Sequence, residues 1–220
     1  MTHPLSAVIV EPPVTPNASV IWLHGLGANG HDFEAIVPEL NLPKDAAIRF
    51  IFPHSPSIPV TINGGMVMPA WYDILEMGAG RKLNTEQLLD SASSVARLVD
   101  HEVASGIRSE RIILAGFSQG GAVAYQVALT YPQPLAGLLA LSTYFPTAEE
   151  IQLSSANKQL DIEVMHGSYD PVVLPSMGKQ AVATLTAYGF APHWREYPME
   201  HQVCYPQIKD ISNWLQEKLL

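Results

Sequence analysis

Ser118 stands in Gly116-Phe117-Ser118-Gln119-Gly120, a G-x-S-x-G pentapeptide that follows an apolar run and opens a helical pattern. The spacing has a physical cause. A serine on a sharp strand-to-helix turn sits in strained backbone, and side chains two residues to either side would collide there. Glycine at both positions removes the clash and lifts the hydroxyl clear of the sheet. Such a serine attacks carbonyl carbon, for which it needs a base and a group that orients the base.

On a parallel sheet of the α/β-hydrolase type the partners follow in the order Ser, then Asp or Glu, then His. The aspartates downstream of Ser118 are Asp161, Asp170 and Asp210. Asp161 opens a strand, at the wrong end of the sheet, and Asp210 falls in the last helix after every histidine. Asp170 lies in His166-Gly167-Ser168-Tyr169-Asp170-Pro171, a loop leaving the carboxyl end of a strand, where ligands bind in open α/β folds. An aspartate before proline is also a common turn former, so that role stays open beside the catalytic one. Glu163 and Glu196 lie inside strands, Glu149 and Glu150 come well before the loop, and Glu217 is in the last helix. Beyond Asp170 only His193 and His201 remain. His193 begins a strand, whereas His201 follows one in a loop. The expected catalytic set is therefore Ser118, Asp170 and His201.

A second glycine pattern, Gly25-Leu26-Gly27-Ala28-Asn29-Gly30, fits G-x-G-x-x-G and follows a strand. A dinucleotide site would also want a carboxylate at the end of the next strand, and Ala47 to His54 holds none. A nicotinamide-dependent oxidoreductase is thus a remote alternative, as is a non-catalytic binding module. Reread beside Ser118, the segment suits an oxyanion hole whose donors are the N–H groups of Leu26 and Gln119. His24 and His166, each before a glycine at a strand end, are expected to be buried, hydrogen-bonded supports. No H-E-x-x-H pair exists, and His201 with Cys204 has no second cluster, so no metal site is expected.

These groups need a scaffold. Strands are expected over Leu5–Val10, Ala18–Leu23, Ala47–Phe52, Arg111–Ala115, Leu135–Leu141, Asp161–His166 and His193–Tyr197, several of them continuous apolar runs suited to a parallel sheet covered on both faces. Between them lie helical stripes: Leu88, Ala92, Val95, Val99 and Val103 behind a cap at Asn84 or Thr85; Gln119 to Leu129; Met177 to Tyr188, stopping at Gly189; and Ile208 to Leu219. His31 to Leu40 also reads as helical. The alternation predicts an α/β-hydrolase fold: a mostly parallel, doubly wound sheet flanked by helices in a three-layer sandwich, as one domain over 1–220. Residues 53–81 break the rhythm with several prolines and glycines, like a lid or substrate-groove loop. Its Met66, Met68, Trp71 and Tyr72 fit either a wall for an apolar ligand or a small core beneath the loop.

Composition narrows the classes. Of 220 residues, 47% are hydrophobic and 15% charged, which excludes general disorder. A net charge of −9 disfavours nucleic acid and anionic membranes as partners, and favours neutral or apolar esters over anionic ones. Cys204, the one cysteine, excludes an intrachain disulfide. No signal peptide or membrane-length apolar run is read, so the expected setting is cytoplasmic.

Trp22-Leu23-His24-Gly25-Leu26-Gly27, Trp71-Tyr72-Asp73-Ile74, Ala115-Gly116-Phe117-Ser118-Gln119-Gly120-Gly121 and His166-Gly167-Ser168-Tyr169-Asp170-Pro171-Val172-Val173 resemble the phospholipase/carboxylesterase family, which includes the acyl-protein thioesterases. The resemblance runs from about Val20 to the last helix and looks closest to bacterial carboxylesterases. It implies a serine hydrolase with Ser118, Asp170 and His201 as triad, no cofactor, and often a homodimer. Carboxylic esters of small substrates are the expected targets; acylated proteins and lysophospholipids are the alternatives. Asn29 stands where the family commonly has Asp, and Glu200 precedes His201 where Gly is usual. A carboxylate at Glu200 bears on the pH optimum.

Overall fold

The computed structural model describes residues 5–78 and 81–220. Residues 1–4, part of the segment read for a signal peptide, and residues 79–80 of the 53–81 loop lie outside the described residues. The strands are β1 (Ala7–Val10), β2 (Ala18–Leu23), β3 (Ile48–Pro53), β4 (Ser57–Val60), β5 (Met66–Pro69), β6 (Ile74–Glu76), β7 (Lys82–Leu83), β8 (Ile112–Phe117), β9 (Gly137–Leu141), β10 (Ile162–Gly167) and β11 (His193–Tyr197). The α-helices are α1 (Ile36–Glu39), α2 (Thr85–Ala104), α3 (Gln119–Thr130), α4 (Pro175–Ala187) and α5 (Tyr205–Leu219).

Seven strands form one sheet in the order β1-β3-β2-β8-β9-β10-β11. Only the edge pair β1–β3 is antiparallel; the other pairs are parallel. The central strands β2, β9 and β10 are buried along their whole length, which the apolar runs Val20 to Leu23 and Gly137–Leu141 permit in β2 and β9, while β10 also buries Glu163 and His166. At the far edge β11 exposes His193, Arg195 and Glu196 to solvent, charged or polar side chains that suit an edge strand. Two apolar layers follow from the pleat. Ile21 and Leu23 of β2 pack with α2, α3 and α4 on one face, while Val20 and Trp22 pack with α1 and α5 on the other. This is the expected three-layer α/β-hydrolase arrangement.

The helices obey their local chemistry. Asn84 caps α2 by accepting from the Gln87 N–H, and the helix buries Leu88, Val95 and Val99 completely. Each such side chain contributes about 1.5–3 kcal/mol of burial. Gly189, at φ 89°, ends the α4 segment as expected. The stretch from His31 to Leu40 departs from expectation. It is a 3-10 turn at Gly30–Asp32 and the single turn α1, because Asn29 and Asp32 close a capping box early and Pro38 limits extension.

The 53–81 segment is more ordered than its sequence suggests. It pairs β4 with β5 and contributes β6 to a ribbon with β7. Gly64 and Gly65, at φ 67° and 79°, turn the first ribbon. Asp73 ties the two ribbons by accepting from the Thr61 N–H (2.7 Å) and hydroxyl (2.6 Å).

Strand order reverses at β2: β3 continues to one side and β8 to the other. Such a switch point opens a crevice at the carboxyl ends of its strands. Leu23 pairs with Gly116 across β2 and β8, so the loop after β2 and the turn after β8 emerge side by side.

Candidate active site

Ser118 adopts φ 54°, ψ −119°, a strained conformation for a residue with a side chain. The turn holds it there. The Ser118 N–H donates to the Leu141 carbonyl (2.9 Å), and the Thr143 hydroxyl donates to the Ser118 carbonyl (2.6 Å). Both flanking glycines are required by space. A Cβ on Gly116 would lie 2.5 Å from the Gly120 carbonyl oxygen, and one on Gly120 would lie 2.5 Å from that of His24.

The structure brings the three expected residues together. His201 Nε2 lies 2.9 Å from Ser118 Oγ, and its Nδ1 lies 2.6 Å from Asp170 Oδ2. The other carboxylate oxygen, Oδ1, accepts the N–H groups of Val172 and Val173, each at 2.9 Å. Asp170 thus combines both readings of its sequence: its turn-forming contacts fix the carboxylate that meets the histidine. Burial works against ionisation of Asp170, but the His201 hydrogen bond and these amides outweigh it and hold the carboxyl below its ordinary value. An ionised carboxylate only accepts, so Nδ1 carries the proton and Nε2 faces the serine hydroxyl as acceptor. The rejected candidates lie apart. Asp161 accepts from the Trp214 indole, Asp210 from the Tyr197 hydroxyl, and His193 pairs with Glu163.

Phe117 packs its ring 4.7 Å from that of His201, and Thr143 anchors the Ser118 carbonyl. Sequence reasoning missed both. Phe117 fills an unspecified place in the pentapeptide, and Thr143 enters through the neighbouring strand with no local signal.

Gln119 heads α3, so its N–H has no acceptor within the helix. Among the described residues the Leu26 N–H also has no partner, whereas Gly27 and Ala28 donate to Pro69 and Gly25. Leu26 and Gln119 both line a cavity of about 640 Å³ with Ser118 and His201. The loop carrying Leu26 is braced from behind. His24 is buried, with Nδ1 at 2.7 Å from the Gly25 carbonyl and Nε2 accepting the Ser55 N–H. Burial holds its imidazole below the ordinary value. His166 is buried as expected, and Nε2 meets the Val173 carbonyl at 2.8 Å. Its Nδ1, contrary to expectation, has no partner among the described residues, because Gly178 packs against it.

The expected wall of Met66, Met68, Trp71 and Tyr72 is placed elsewhere; none of them lines this cavity. Met66 is 63% exposed on the outer ribbon. Met68 approaches Gly27 and accepts from the Asn63 amide. Trp71 and Tyr72 are buried in the core beneath the loops, the second of the two roles open to them. Trp71 donates from Nε1 to the His24 carbonyl, and the Gln119 side chain bridges the Trp71 N–H and the Tyr72 carbonyl. They brace the walls. The cavity's apolar lining comes instead from Leu26, Phe33, Ile62, Ile74, Met77 and Val203. Glu200 is exposed, Cys204 heads α5, and no cluster of metal-ligating side chains occurs among the described residues.

The phospholipase/carboxylesterase family model matches residues 5–219. An acyl-protein thioesterase 1 from Schizosaccharomyces pombe is 41% identical over 185 residues, covering 83% of this chain and 81% of that protein. The crystal structure of Zea mays acyl-protein thioesterase 2 superposes with a TM-score of 0.86 at 30% identity, covering 98% of this chain and 99% of that one. A Bacillus cereus carboxylesterase shares the fold, with a TM-score of 0.78 at 17% identity over 97% of this chain and 94% of its own.

Proposed function

The chain belongs to the phospholipase/carboxylesterase family, and from that membership we propose that it is a carboxylesterase acting through an acyl-enzyme at Ser118. It is a serine hydrolase of the esterase or thioesterase type. The observation that carries the finer reading is the unbroken relay from Ser118 through His201 to Asp170, opening on an apolar-walled cavity. His201 takes the serine proton as Oγ attacks the carbonyl carbon, then delivers it to the departing alcohol. Asp170 orients the imidazole and stabilises its charged form. The N–H groups of Leu26 and Gln119 receive the developing oxyanion. Water, deprotonated by His201, then releases the acid and restores Ser118. No step calls on a metal or cofactor.

A fluorophosphonate probe is expected to label the protein, and Ser118→Ala to abolish both labelling and ester turnover. Undiminished turnover in that variant refutes the assignment. A second reading, thioester cleavage on acylated proteins, is favoured by the name of the Schizosaccharomyces pombe relative. Turnover across a chain-length series of esters and matching thioesters separates the two: a short-ester maximum supports the carboxylesterase, and a long-thioester maximum the thioesterase. Lysophospholipid turnover in the same assay marks the third substrate class.

A further inference from the structure

Among the described residues Arg81 is the only lysine or arginine that lines the Ser118 cavity. It also lines a neighbouring cavity of about 620 Å³, bounded by Tyr144, Met177, Thr184 and Tyr188, so the guanidinium stands between the two spaces. Its setting is fixed. The Arg81 Cζ lies 4.6 Å above the centre of the Tyr144 ring, and that tyrosine is anchored by a buried 2.7 Å contact between its hydroxyl and the Tyr72 hydroxyl. Nη2 donates to the Val172 carbonyl at 2.7 Å, and Nε is buried without a partner among the described residues.

No carboxylate lies within ion-pairing distance of Arg81 among the described residues, although the chain has 21 acidic against 12 basic side chains. Asp32, the carboxylate that lines the cavity among the described residues, accepts from the Asn29 N–H as part of a cap. Among the described residues Nη1 has no protein acceptor, and it is not buried. A planar, pre-oriented guanidinium with an open nitrogen is the group that receives a carboxylate by charge-assisted hydrogen bonds.

We propose that Arg81 binds a carboxylate carried by the substrate, so that the preferred esters are half-esters of short dicarboxylic acids. This rests on the esterase reading and deepens it: the ester carbonyl sits at Ser118 while the distal carboxylate meets Arg81 in the same cavity. It reverses the expectation drawn from net charge. The acidic surface governs the long-range field, but the cation inside the cavity governs what binds there.

The test compares 4-nitrophenyl half-esters of succinate, glutarate and adipate with neutral 4-nitrophenyl esters of matched length, in wild type, Arg81→Gln and Arg81→Lys. Arg81 also tethers the loop that carries Asp170, so its loss is expected to slow both ester classes; the readout is the ratio of anionic to neutral kcat/KM. For at least one chain length that ratio is expected to fall about tenfold or more in Arg81→Gln, the scale of a charged hydrogen bond, and to recover partly in Arg81→Lys. A ratio unchanged at every length overturns the proposal and leaves Arg81 a tether only. Calorimetric binding of free glutarate, retained in wild type and lost in Arg81→Gln, reads the same contact without turnover. If wild type cleaves neither ester class, the esterase reading fails by itself, and the glutarate titration still decides the anion site.

Discussion

Replacing Asp170 by asparagine isolates the orienting role proposed for the carboxylate, because the two side chains share a shape. Asparagine has one acceptor oxygen where the carboxylate uses two. If that oxygen faces His201, the amide NH₂ is turned toward the N–H groups of Val172 and Val173, leaving donors opposed to donors. Two unpaired buried N–H groups cost about 2–6 kcal/mol together. If the oxygen faces the amides, the NH₂ donates to His201 Nδ1, and the ring answers by carrying its proton on Nε2. A change of tautomer in a neutral imidazole costs far less, so the second arrangement wins. It places an N–H where Ser118 needs an acceptor, 2.9 Å from Oγ. We predict a loss in kcat of about 10⁴-fold, the size associated with a wrong tautomer in a serine triad, or about 5.4 kcal/mol in barrier. The amide contacts survive, so the melting temperature should change little. Steady-state hydrolysis of a 4-nitrophenyl ester, thermal melting and the rate of fluorophosphonate labelling together read the effect. An Asp170→Asn enzyme within tenfold of wild type, melting normally, would refute the reasoning.

Other outcomes follow from the same geometry. Gly120→Ala drives a Cβ to within 2.6 Å of the His24 and Leu23 carbonyl oxygens, both backbone atoms, so melting should reveal a loss of about 1–3 kcal/mol and turnover should fall with it; a wild-type melt would contradict the packing. Gln119→Met keeps the proposed oxyanion N–H but strands the Trp71 N–H and the Tyr72 carbonyl, with an expected cost of about 2–5 kcal/mol in urea unfolding. Burial lowers the His24 and His166 imidazoles below 6.5, so the unfolded chain takes up protons there first. Stability due to these neutral rings is full above that pH and declines below it, by up to about 1.4 kcal/mol per pH unit for each. A flat melting profile from pH 6.5 to 5 would count against them. Asp170, held below 3.8, contributes stability that is present above that value and lost as pH falls through its lower folded value. The stability gap between wild type and Asp170→Asn, small at neutral pH, should therefore close on acidification.

Ser118, Asp170 and His201 were legible because each requirement is local or ordered along the chain. Two glycines around a serine encode a steric demand, and the sequence of strand ends fixes which acid and which base can reach it. The central strands were legible for the same reason: burial on both faces leaves an unbroken apolar run, as in Val20 to Leu23. The 53–81 ribbons were not. Their residues lie on the surface and against the loops, so β5 shows no inward and outward alternation, and the prolines hide its pairing. The substrate wall failed similarly. Composition cannot tell a tryptophan facing a ligand from one packed under a loop, and Trp71 is fixed beneath it by contacts with His24 and Gln119, each 47 or 48 residues distant.

The sequence alone therefore determined which serine, aspartate and histidine meet, and the layered sheet that carries them, since these follow from near-neighbour sterics and chain order. Tertiary structure alone decided what surrounds them. Arg81, Tyr144 and Val172 are far apart in the chain and share no motif, yet folding sets a fixed cation in the cavity that Ser118 lines, within an acidic protein. Net charge sums over the whole surface, whereas recognition depends on the few groups that desolvate together, and only the fold chooses those.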